Sequence, residues 1–578
     1  MKILSSRTSA MVVVAATVGL AARLAHFLAI RGHPFYDLYT IWEQSDMHQF
    51  VAWAQHLAGG DWLDLETFRP YFDWQERIAP AEVWNSWFGA HVYYQPPLYP
   101  YLAAVVFRLT GGFDLFRLAQ VALGAVNCGL IALLAARIVS VPAGWIAGLA
   151  AALYAPFIVY DAELLRGTLV MTTQLLLLLG LARLDGEVEP ARFRRWVFLA
   201  GIAFGVAYLA DTSILLFAPF ALGVAVWAAS VRSPGRTGMG GGFAAPLAAA
   251  GMLMAGVVAA LIPLMARNLA VGAPLVSNTT RGPLAFVMGN APDAISVGAF
   301  LPLSTNAILS ESGYEMGATI AATLRQYQGD YRPLLEKQWL KMKALWGDFE
   351  VPDNPNFYYA ARISPVAGWG LRFMPVAALG LVGLGLALGE AVKRPRGALL
   401  PLFLLSCVGL FLLAHVVSRY RQPMAAALMI LSAQLVVWTV QSLRSHETRR
   451  RARGAAALVA VVVVAVVLPK EPPPGYGYLR PAEFVQVSRL REQRGEIDGA
   501  TAEISSAIDA VRREEVYMHW AGRLYYTRGM IEGRAGRYAE AAGSFREALR
   551  EEPGLPDASQ ALEDTLKKLA PSPPGATR

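Results

Sequence analysis

The sequence predicts an all-α membrane protein: a polytopic helical bundle of about eleven spans, with outer juxtamembrane helices, followed by a small soluble domain of paired helices. Two observations predict the bundle. Of 578 residues, 55% are hydrophobic and only 16% charged, short of the roughly 25% charged in soluble domains. The apolar residues also gather in runs close to the ~20 residues a helix needs to cross a bilayer. A third observation predicts the soluble domain. After the stretch "PKEPPPG", Pro469 to Gly475, the composition turns charged and helical.

Spans are expected near 10–30, 115–139, 143–159, 165–184, 196–209, 212–230, 246–266, 367–392, 398–417, 423–442 and 454–468. The segments near 196–209 and 454–468 are shorter than the ideal. Lys2 and Arg7 ahead of the first apolar stretch also fit a signal peptide. Arg23 and His26 interrupt that stretch, however, and it reads as an uncleaved span. Cys128 and Cys407 both lie inside apolar runs, so neither a disulfide framework nor a cysteine metal site is expected.

Orientation follows from the loops. Arg192, Arg194, Arg195, Arg232, Arg236, Lys393, Arg394, Arg396 and the run "RSHETRRRARG" fall on one side of the eleven spans. Positive-inside topology makes that side cytoplasmic. Residues 31–97, 160–164, 267–366, 418–422 and everything after 469 then face the periplasm or the cell exterior, across a cytoplasmic (inner) membrane. The net charge of +8 resides largely in short loops between spans, so nucleic acid is not an expected partner.

The first outer loop, roughly 31–97, is rich in aromatics such as Trp53, Trp84, Trp87, Tyr93 and Tyr94. Such residues anchor at a membrane interface or stack on a sugar. Pro96 and Pro97 suit a helix start at Leu98, too short to span before Gly111–Gly112. In the second outer loop, 267–366, Leu335, Trp339, Met342 and Trp346 recur every three or four residues with Lys337, Lys341 and Lys343 between them. That pattern predicts an amphipathic helix lying in the interface.

The bundle is expected over 1–468, a linker over 469–480, a tetratricopeptide-like domain over 481–570 and a disordered tail over 571–578. Gly529, Tyr538, Ala541, Phe545, Ala548 and Pro553 fall at tetratricopeptide spacings. Ala500, Ile504 and Ala507 repeat the four-then-three step more weakly, which leaves an isolated helical hairpin as the alternative. The domain carries no catalytic pattern and is expected to dock a protein partner.

Five stretches carry charge or special backbone at the outer face. In "SDMHQFVAWAQHL", Ser45 or Asp46 can cap a helix whose apolar face is Phe50, Trp53 and Leu57. In the short turn "YDAELLRG", Asp161 and Glu163 lie next to apolar spans, where an ionisable group is costly unless paired or wetted. Its structural alternative is an Arg166–Glu163 pair that closes the turn. The third stretch is "VYYQPPLYPYL". The fourth, after span seven, holds Arg267, Asn268, Arg281, Asn290 and Asp293. The fifth is "SRYRQP", with Arg419, Tyr420 and Arg421. Arginines on the outer face run against positive-inside and call for an anion, of which lipid phosphate is the nearest.

Together these stretches resemble the GT-C glycosyltransferases, in particular the dolichyl-phosphate-mannose–protein mannosyltransferase-like enzymes and the lipid A aminoarabinose transferase. The resemblance covers about residues 8–442. It rests on the acidic residue after span one, "PPLYPYL", the acidic turn after span three, "RN…GN.PDA" after span seven and "RYR.P" late in the chain. It implies transfer of a sugar from a polyprenyl-phosphate carrier to a protein, lipid or glycan acceptor at the outer face. Asp46 matches the catalytic or metal-associated acid. Glu163 matches the second acidic position, with Asp161 competing for it. Arg267 corresponds to a donor-phosphate contact. Gln95 stands where related sequences often carry a basic residue or histidine, so a charged contact there is missing.

The chemistry needs a base for the acceptor and cations for the departing phosphate. Asp46 is the expected base, with Glu163 orienting the acceptor or sharing the site, and displacement would invert the anomeric carbon. Arg267, Arg419 and Arg421 are the expected phosphate ligands, in that order, with Tyr420 beside them. His48, Tyr94, Gln95, Asn268 and Asn290 are the expected substrate contacts. His48 beside Asp46 suggests a divalent cation, Mg²⁺ or Mn²⁺, but one histidine with carboxylates from distant loops is not a metal motif, and no metal ligand set is assigned. A transporter or flippase of lipid-linked glycan would also use such charges, although they gather at the surface and no repeat of spans is evident. A non-catalytic scaffold is the remaining reading. The transferase reading requires Asp46 and Glu163 to face one cavity that continues into a lipid-facing groove.

Overall fold

The computed structural model describes residues 6–65, 73–88, 91–186, 189–232 and 244–570. Over these residues the chain is helical, with isolated β-bridges at Tyr154–Leu371 and Val297–Val416. A bilayer offers no water to backbone N–H and C=O groups, and a helix satisfies them within itself. Eight helices are long and apolar enough to cross: Ser6–Arg31, Asp114–Ile138, Pro190–Ala210, Thr212–Val231, Ala244–Val271, Phe373–Ala391, Pro395–Leu413 and Ser418–Leu443. The chain is an all-α multi-pass membrane protein.

The three other expected spans differ from these eight. Val141–Leu153 and Gly167–Ala182 are apolar helices of 13 and 16 residues. The first stops at Tyr154 and resumes as Ala155–Tyr160, because Pro156 cannot donate to the preceding turn. Thr448–Val467 has 20 residues but opens on Arg449, Arg450, Arg451 and Arg453. Its Val459, Val462, Val466 and Val467 are exposed, as on a helix that faces lipid.

Close approach of backbones builds the bundle. A side chain at Gly201 would sit 2.1 Å from the Leu253 carbonyl oxygen, and one at Gly256 would sit 2.2 Å from that of Phe198. Helices Pro190–Ala210 and Ala244–Val271 therefore cross at glycine. Without a hydrophobic drive between helices in lipid, such small-residue contacts supply the packing energy.

The chain divides into two compact units. The larger comprises Met1–Phe27, Glu43–Asp353 and Pro365–Glu471. The smaller comprises Leu28–Trp42, Asn354–Ser364 and Pro472–Arg578. It therefore includes the end of the first expected span and residues 31–42 and 354–364, which the sequence places in the outer loops of the bundle. Its paired helices are Pro481–Gln493, Ile497–Glu514, Ala521–Arg534 and Tyr538–Glu551, followed by Ala558–Leu569. Ala500, Ile504 and Ala507 are buried, as are Ala541, Phe545 and Ala548. Within this unit Tyr359 stacks on Phe35 at 5.3 Å and meets Phe484 edge-on at 5.0 Å. Tyr39 donates to Glu483 at 3.0 Å. The tail expected over 571–578 lies outside the described residues.

The helix expected to lie in the interface spans Arg332–Trp346. Leu335 and Trp339 are exposed on it, at 67% and 66%. Lys337 and Lys341 turn inward instead of lying on a polar outer face. Lys337 donates to the Ala294 carbonyl, and Lys341 donates to Asn290 Oδ1 at 2.9 Å and to the Leu412 carbonyl at 3.0 Å. The last carbonyls of helix Pro395–Leu413 have no partner within that helix, and Lys341 supplies one.

Candidate active site

Asp46 opens the helix Asp46–Ala58. Ser45 caps that helix, accepting from the Met47 N–H at 3.0 Å. Phe50, Trp53 and Leu57 bury one face of it. The cap role is filled by serine, and Asp46 lines a cavity of about 490 Å³.

The polar part of the cavity wall contains Asp46, Arg166, Asp211, Asn278, Arg281, His415, Arg419 and Tyr420. The apolar part contains Phe50, Ile214, Leu215, Leu216, Phe403 and Leu410. Leu215 and Leu413, both lining residues, are also exposed on the surface of the helices. A charged end joined to an apolar wall is the pattern expected of a site for an amphipathic ligand.

The charged end is a linked set of ion pairs. Arg419 Nη2 binds Asp46 Oδ2, and also Asp353 Oδ2 at 2.6 Å. Arg281 Nη1 lies 3.7 Å from Asp46 Oδ1. Gln95 donates to Asp46 Oδ1 at 3.4 Å and to Gln49 at 3.3 Å, and accepts from Arg166 at 3.2 Å. Arg166 pairs with Asp211 at 3.0 Å. Burial alone would raise the Asp46 carboxyl, but Arg419, Arg281 and Arg166 outweigh it and hold the group well below the usual carboxylate range.

Four segments fix these groups. Arg419 leaves the 3-10 turn Ser418–Arg421 and lies over the Tyr420 ring at 5.1 Å. Arg281 precedes helix Gly282–Asn290. Its neighbours are zipped onto the first loop, with Thr280 N donating to Tyr93 O at 3.1 Å and Thr279 Oγ1 to Tyr94 O at 2.7 Å. Its guanidinium lies 5.3 Å over the Tyr94 ring. Asp211 caps the 3-10 turn Thr212–Phe217 through Ser213 N at 2.8 Å, and its other oxygen faces Arg166. Asp353 approaches Arg419 from the second loop.

No protein-family model matches the chain, and no curated protein matches it. Similar solved structures include the Archaeoglobus fulgidus oligosaccharyltransferase in its apo form, 10% identical over 84% of this chain and 58% of that one, with a TM-score of 0.44. They also include Archaeoglobus fulgidus AglB with an inhibitory peptide and a dolichol-phosphate, 13% identical over 85% and 59%, with a TM-score of 0.39. ArnT from Cupriavidus metallidurans bound to undecaprenyl phosphate is 14% identical over 91% and 78%, with a TM-score of 0.38. This chain spans less than two thirds of the length of the oligosaccharyltransferase. Likenesses at these TM-scores carry no argument about the site, which stands on its own geometry.

That geometry separates the expected residues. Asp46, Arg419 and Tyr420 line the cavity, and Gln95 and Tyr94 hold its residues from behind. His48 is half-buried and outside the lining. Arg267 is 5% exposed and clamps the first loop, donating to the carbonyls of Leu63 at 2.8 Å, Asp64 at 2.7 Å and His91, and lying 4.1 Å over Tyr93. Arg421 donates to the carbonyls of Leu345, Gly347 and Phe349 and pairs with Glu350 at 2.8 Å. Asn268 ties the turn at Pro274, Leu275 and Ser277. Asn290 bridges Phe286 and Leu413 to Lys341. These four bind the protein's own backbone and do not line the cavity.

The second acidic turn brings Arg166 to the cavity but not its two carboxylates. Asp161 and Arg23 pair at 2.7 Å with both side chains fully buried, and Thr168 donates to the other Asp161 oxygen. Glu163 is 1% exposed, and its carboxylate oxygens have no hydrogen-bond partner among the described residues. Burial pushes its carboxyl up to about 7, and Arg117 opposes the shift. Asp46 and Glu163 thus do not face one cavity, so the requirement that the two acids share it does not hold: the cavity is built on Asp46 and the arginines around it, and Glu163 is not among its lining residues. The arginines converge on Asp46, and Arg166 closes onto Asp211 and Gln95 instead of Glu163.

Arg166, Asp211, Arg281, Asp353 and His415 complete the site without having been chosen as its residues from sequence. Asp211 and His415 carry one usable signal: each is an isolated ionisable group at the end of an apolar run. Among the described residues, the group able to hold a cation is His56, Asp61 and Asp64, whose ligand atoms lie within 4.8 Å of one another. Asp46 and His48 do not belong to it.

Proposed function

We propose that this chain is a membrane glycosyltransferase that moves a sugar from a polyprenyl-phosphate donor to an acceptor at the outer face of the cytoplasmic membrane. One observation carries the reading: Arg281 and Arg419 meet at the charged end of a cavity whose remaining wall is apolar. Guanidinium groups bind phosphate through paired, charge-assisted hydrogen bonds. The apolar wall of Ile214, Leu215, Leu216, Phe403 and Leu410 suits the first units of a prenyl chain.

The acceptor's nucleophilic atom attacks the anomeric carbon, and the bond from that carbon to the phosphate oxygen breaks. The phosphate gains a negative charge as it leaves. Cations already in place at that oxygen stabilise the transition state more than the ground state. Asp46 holds both arginines, and Asp353 also holds Arg419, before any donor arrives. Donor phosphate and the Asp46 carboxylate compete for the same two guanidinium groups. We therefore assign Asp46 to positioning these arginines. Its proton affinity, lowered by them, suits it poorly to accept the acceptor's proton.

Purified full-length protein in lipid nanodiscs, given a panel of polyprenyl-phosphate monosaccharides and scored for release of lipid phosphate, tests the activity. Radiolabelled undecaprenyl phosphate tests the cavity directly. Saturable binding that falls with Arg281→Ala and Arg419→Ala is expected. Binding unaffected by both substitutions would sink the reading.

A further inference from the structure

The transferase needs a basic atom that no cation already holds, and the carboxylates of the cavity do not offer one. Asp46 is bound by Arg419 and Arg281, and Asp211 is bound by Arg166 and the Ser213 N–H. His415 is different. It lines the cavity, is 4% exposed, and its Nδ1 has no hydrogen-bond partner among the described residues.

The backbone fixes where His415 points. Residues 414–417 run extended between helix Pro395–Leu413 and the turn Ser418–Arg421. Val416 N donates to Ser296 O at 3.0 Å, and Gly298 N donates to Val416 O at 2.8 Å. Asn290 holds the Leu413 carbonyl at 2.9 Å, and Ser418 N donates to Val351 O at 3.1 Å. Gly289 admits this segment, since a side chain there would lie 2.5 Å from the Ala414 carbonyl oxygen. Side chains alternate along an extended stretch. Val416 is fully buried, and His415, on the opposite side, reaches the cavity wall.

We propose that His415 takes the proton from the acceptor's nucleophile. In the step, a lone pair on the acceptor oxygen or nitrogen forms the bond to the anomeric carbon. The carbon–oxygen bond to phosphate breaks, and its electron pair stays on the phosphate. The acceptor's proton passes to the His415 imidazole. The imidazole becomes a cation as the phosphate gains its second negative charge, so net charge in the cavity is conserved.

The surroundings make this base depend on the donor. Arg281, Arg419 and Lys341 are the cations facing His415, Asp46 is the anion, and the Tyr420 ring lies 6.1 Å away. Burial, and then these three cations, pull the imidazole down to about 3 in the free protein. It is neutral there, with a lone pair available and little affinity for a proton. Phosphate bound at Arg281 and Arg419 offsets their charge and adds a negative charge of its own, which raises the affinity against the burial that remains. The base is switched on by the ligand whose departure it accompanies.

The proposal rests on the transferase reading, and one experiment separates the two. Full-length protein carrying ¹³C-labelled histidine is placed in nanodiscs, and His415→Gln identifies the His415 resonance. Undecaprenyl phosphate binding is followed in the same samples by radiolabel. Without lipid, the resonance is expected to stay neutral from pH 8 down to about 5. With lipid bound, it is expected to titrate inside that window. Lipid that binds while the resonance stays unmoved, or a resonance that already titrates near 6.5 without lipid, overturns the role of His415 alone. Lipid that fails to bind at all overturns the transferase reading and this role with it. His415→Gln should slow transfer about 100-fold or more while leaving undecaprenyl phosphate affinity within about twofold, as expected for loss of a general base. Equal loss of both would mark His415 as a structural group.

Discussion

Arg419 and Arg421 leave the same 3-10 turn, two residues apart, and meet different partners. Three residues per turn put them on different sides of it. Arg419 faces the cavity and is held by the carboxylates of Asp46 and Asp353. Arg421 is 2% exposed and is taken up by three backbone carbonyls, by Glu350 and by the Phe373 ring at 4.0 Å. The pair Arg281 and Arg267 repeats the contrast across helix Ala244–Val271 and the loop that follows it. Arg281 faces Asp46, whereas Arg267 clamps three carbonyls of the first loop. A guanidinium held by flexible carboxylates can exchange one anion for another. A guanidinium held by fixed carbonyls cannot leave them without unmaking the loop.

The largest expected effect is at Arg421. Replacement by alanine takes the cation from buried Glu350 and the donor from three interior carbonyls. It should cost about 3–5 kcal/mol of stability, read as a fall in the thermal unfolding midpoint in detergent. Undecaprenyl phosphate affinity of the folded fraction should not change. An unmoved midpoint would erase the distinction between the two arginines.

Arg419→Ala should do the reverse. It removes a charge-assisted contact worth about 1.5–3 kcal/mol, so undecaprenyl phosphate affinity should fall roughly 10- to 100-fold, with the unfolding midpoint close to that of the parent. Isothermal calorimetry or filter binding at fixed salt measures the loss. Asp46→Asn is predicted to move binding the other way. Removing the competing carboxylate should tighten undecaprenyl phosphate binding several-fold, worth about 1 kcal/mol or less, while sugar transfer slows because the arginines lose their anchor.

A pH-dependent effect is expected at a buried cation on the carbonyl side of the contrast. Burial and then Lys337 pull Lys341 down from 10.5 to about 7. The unfolded chain therefore binds this proton over a pH range in which the folded protein does not. Stability should rise with pH between about 7 and 10.5 and carry the full penalty below 7. Lys341→Met should flatten that slope in unfolding curves recorded across the range.

Sequence alone gave access to the bundle because bilayer crossing imposes a length and a composition that can be counted. The eight long spans and the start of the short helix at Leu98, after Pro96–Pro97, follow from that. Asp46 could be picked out because it opens a helix next to the first span. Arg267, Arg421, Asn268 and Asn290 share its polarity and its loops, so nothing in one dimension separates a carbonyl clamp from a ligand contact. Asp161 was similarly ambiguous: its partner Arg23 lies 138 residues away. Lys337, Lys341 and Lys343 match the pattern of an interfacial helix, yet Lys341 turns inward, where the end of helix Pro395–Leu413 needs a donor.

The sequence by itself determined that the chain crosses a membrane many times and ends in charged, paired helices, because hydrophobicity and periodicity are local properties summed along the chain. The tertiary structure decided which charges meet. Asp46, Arg166, Asp211, Arg281, Asp353, His415 and Arg419 come from segments up to hundreds of residues apart, and only the packing of their helices places the His415 imidazole near three cations. Electrostatic interaction depends on distance through space, and that distance is not written in the order of the residues.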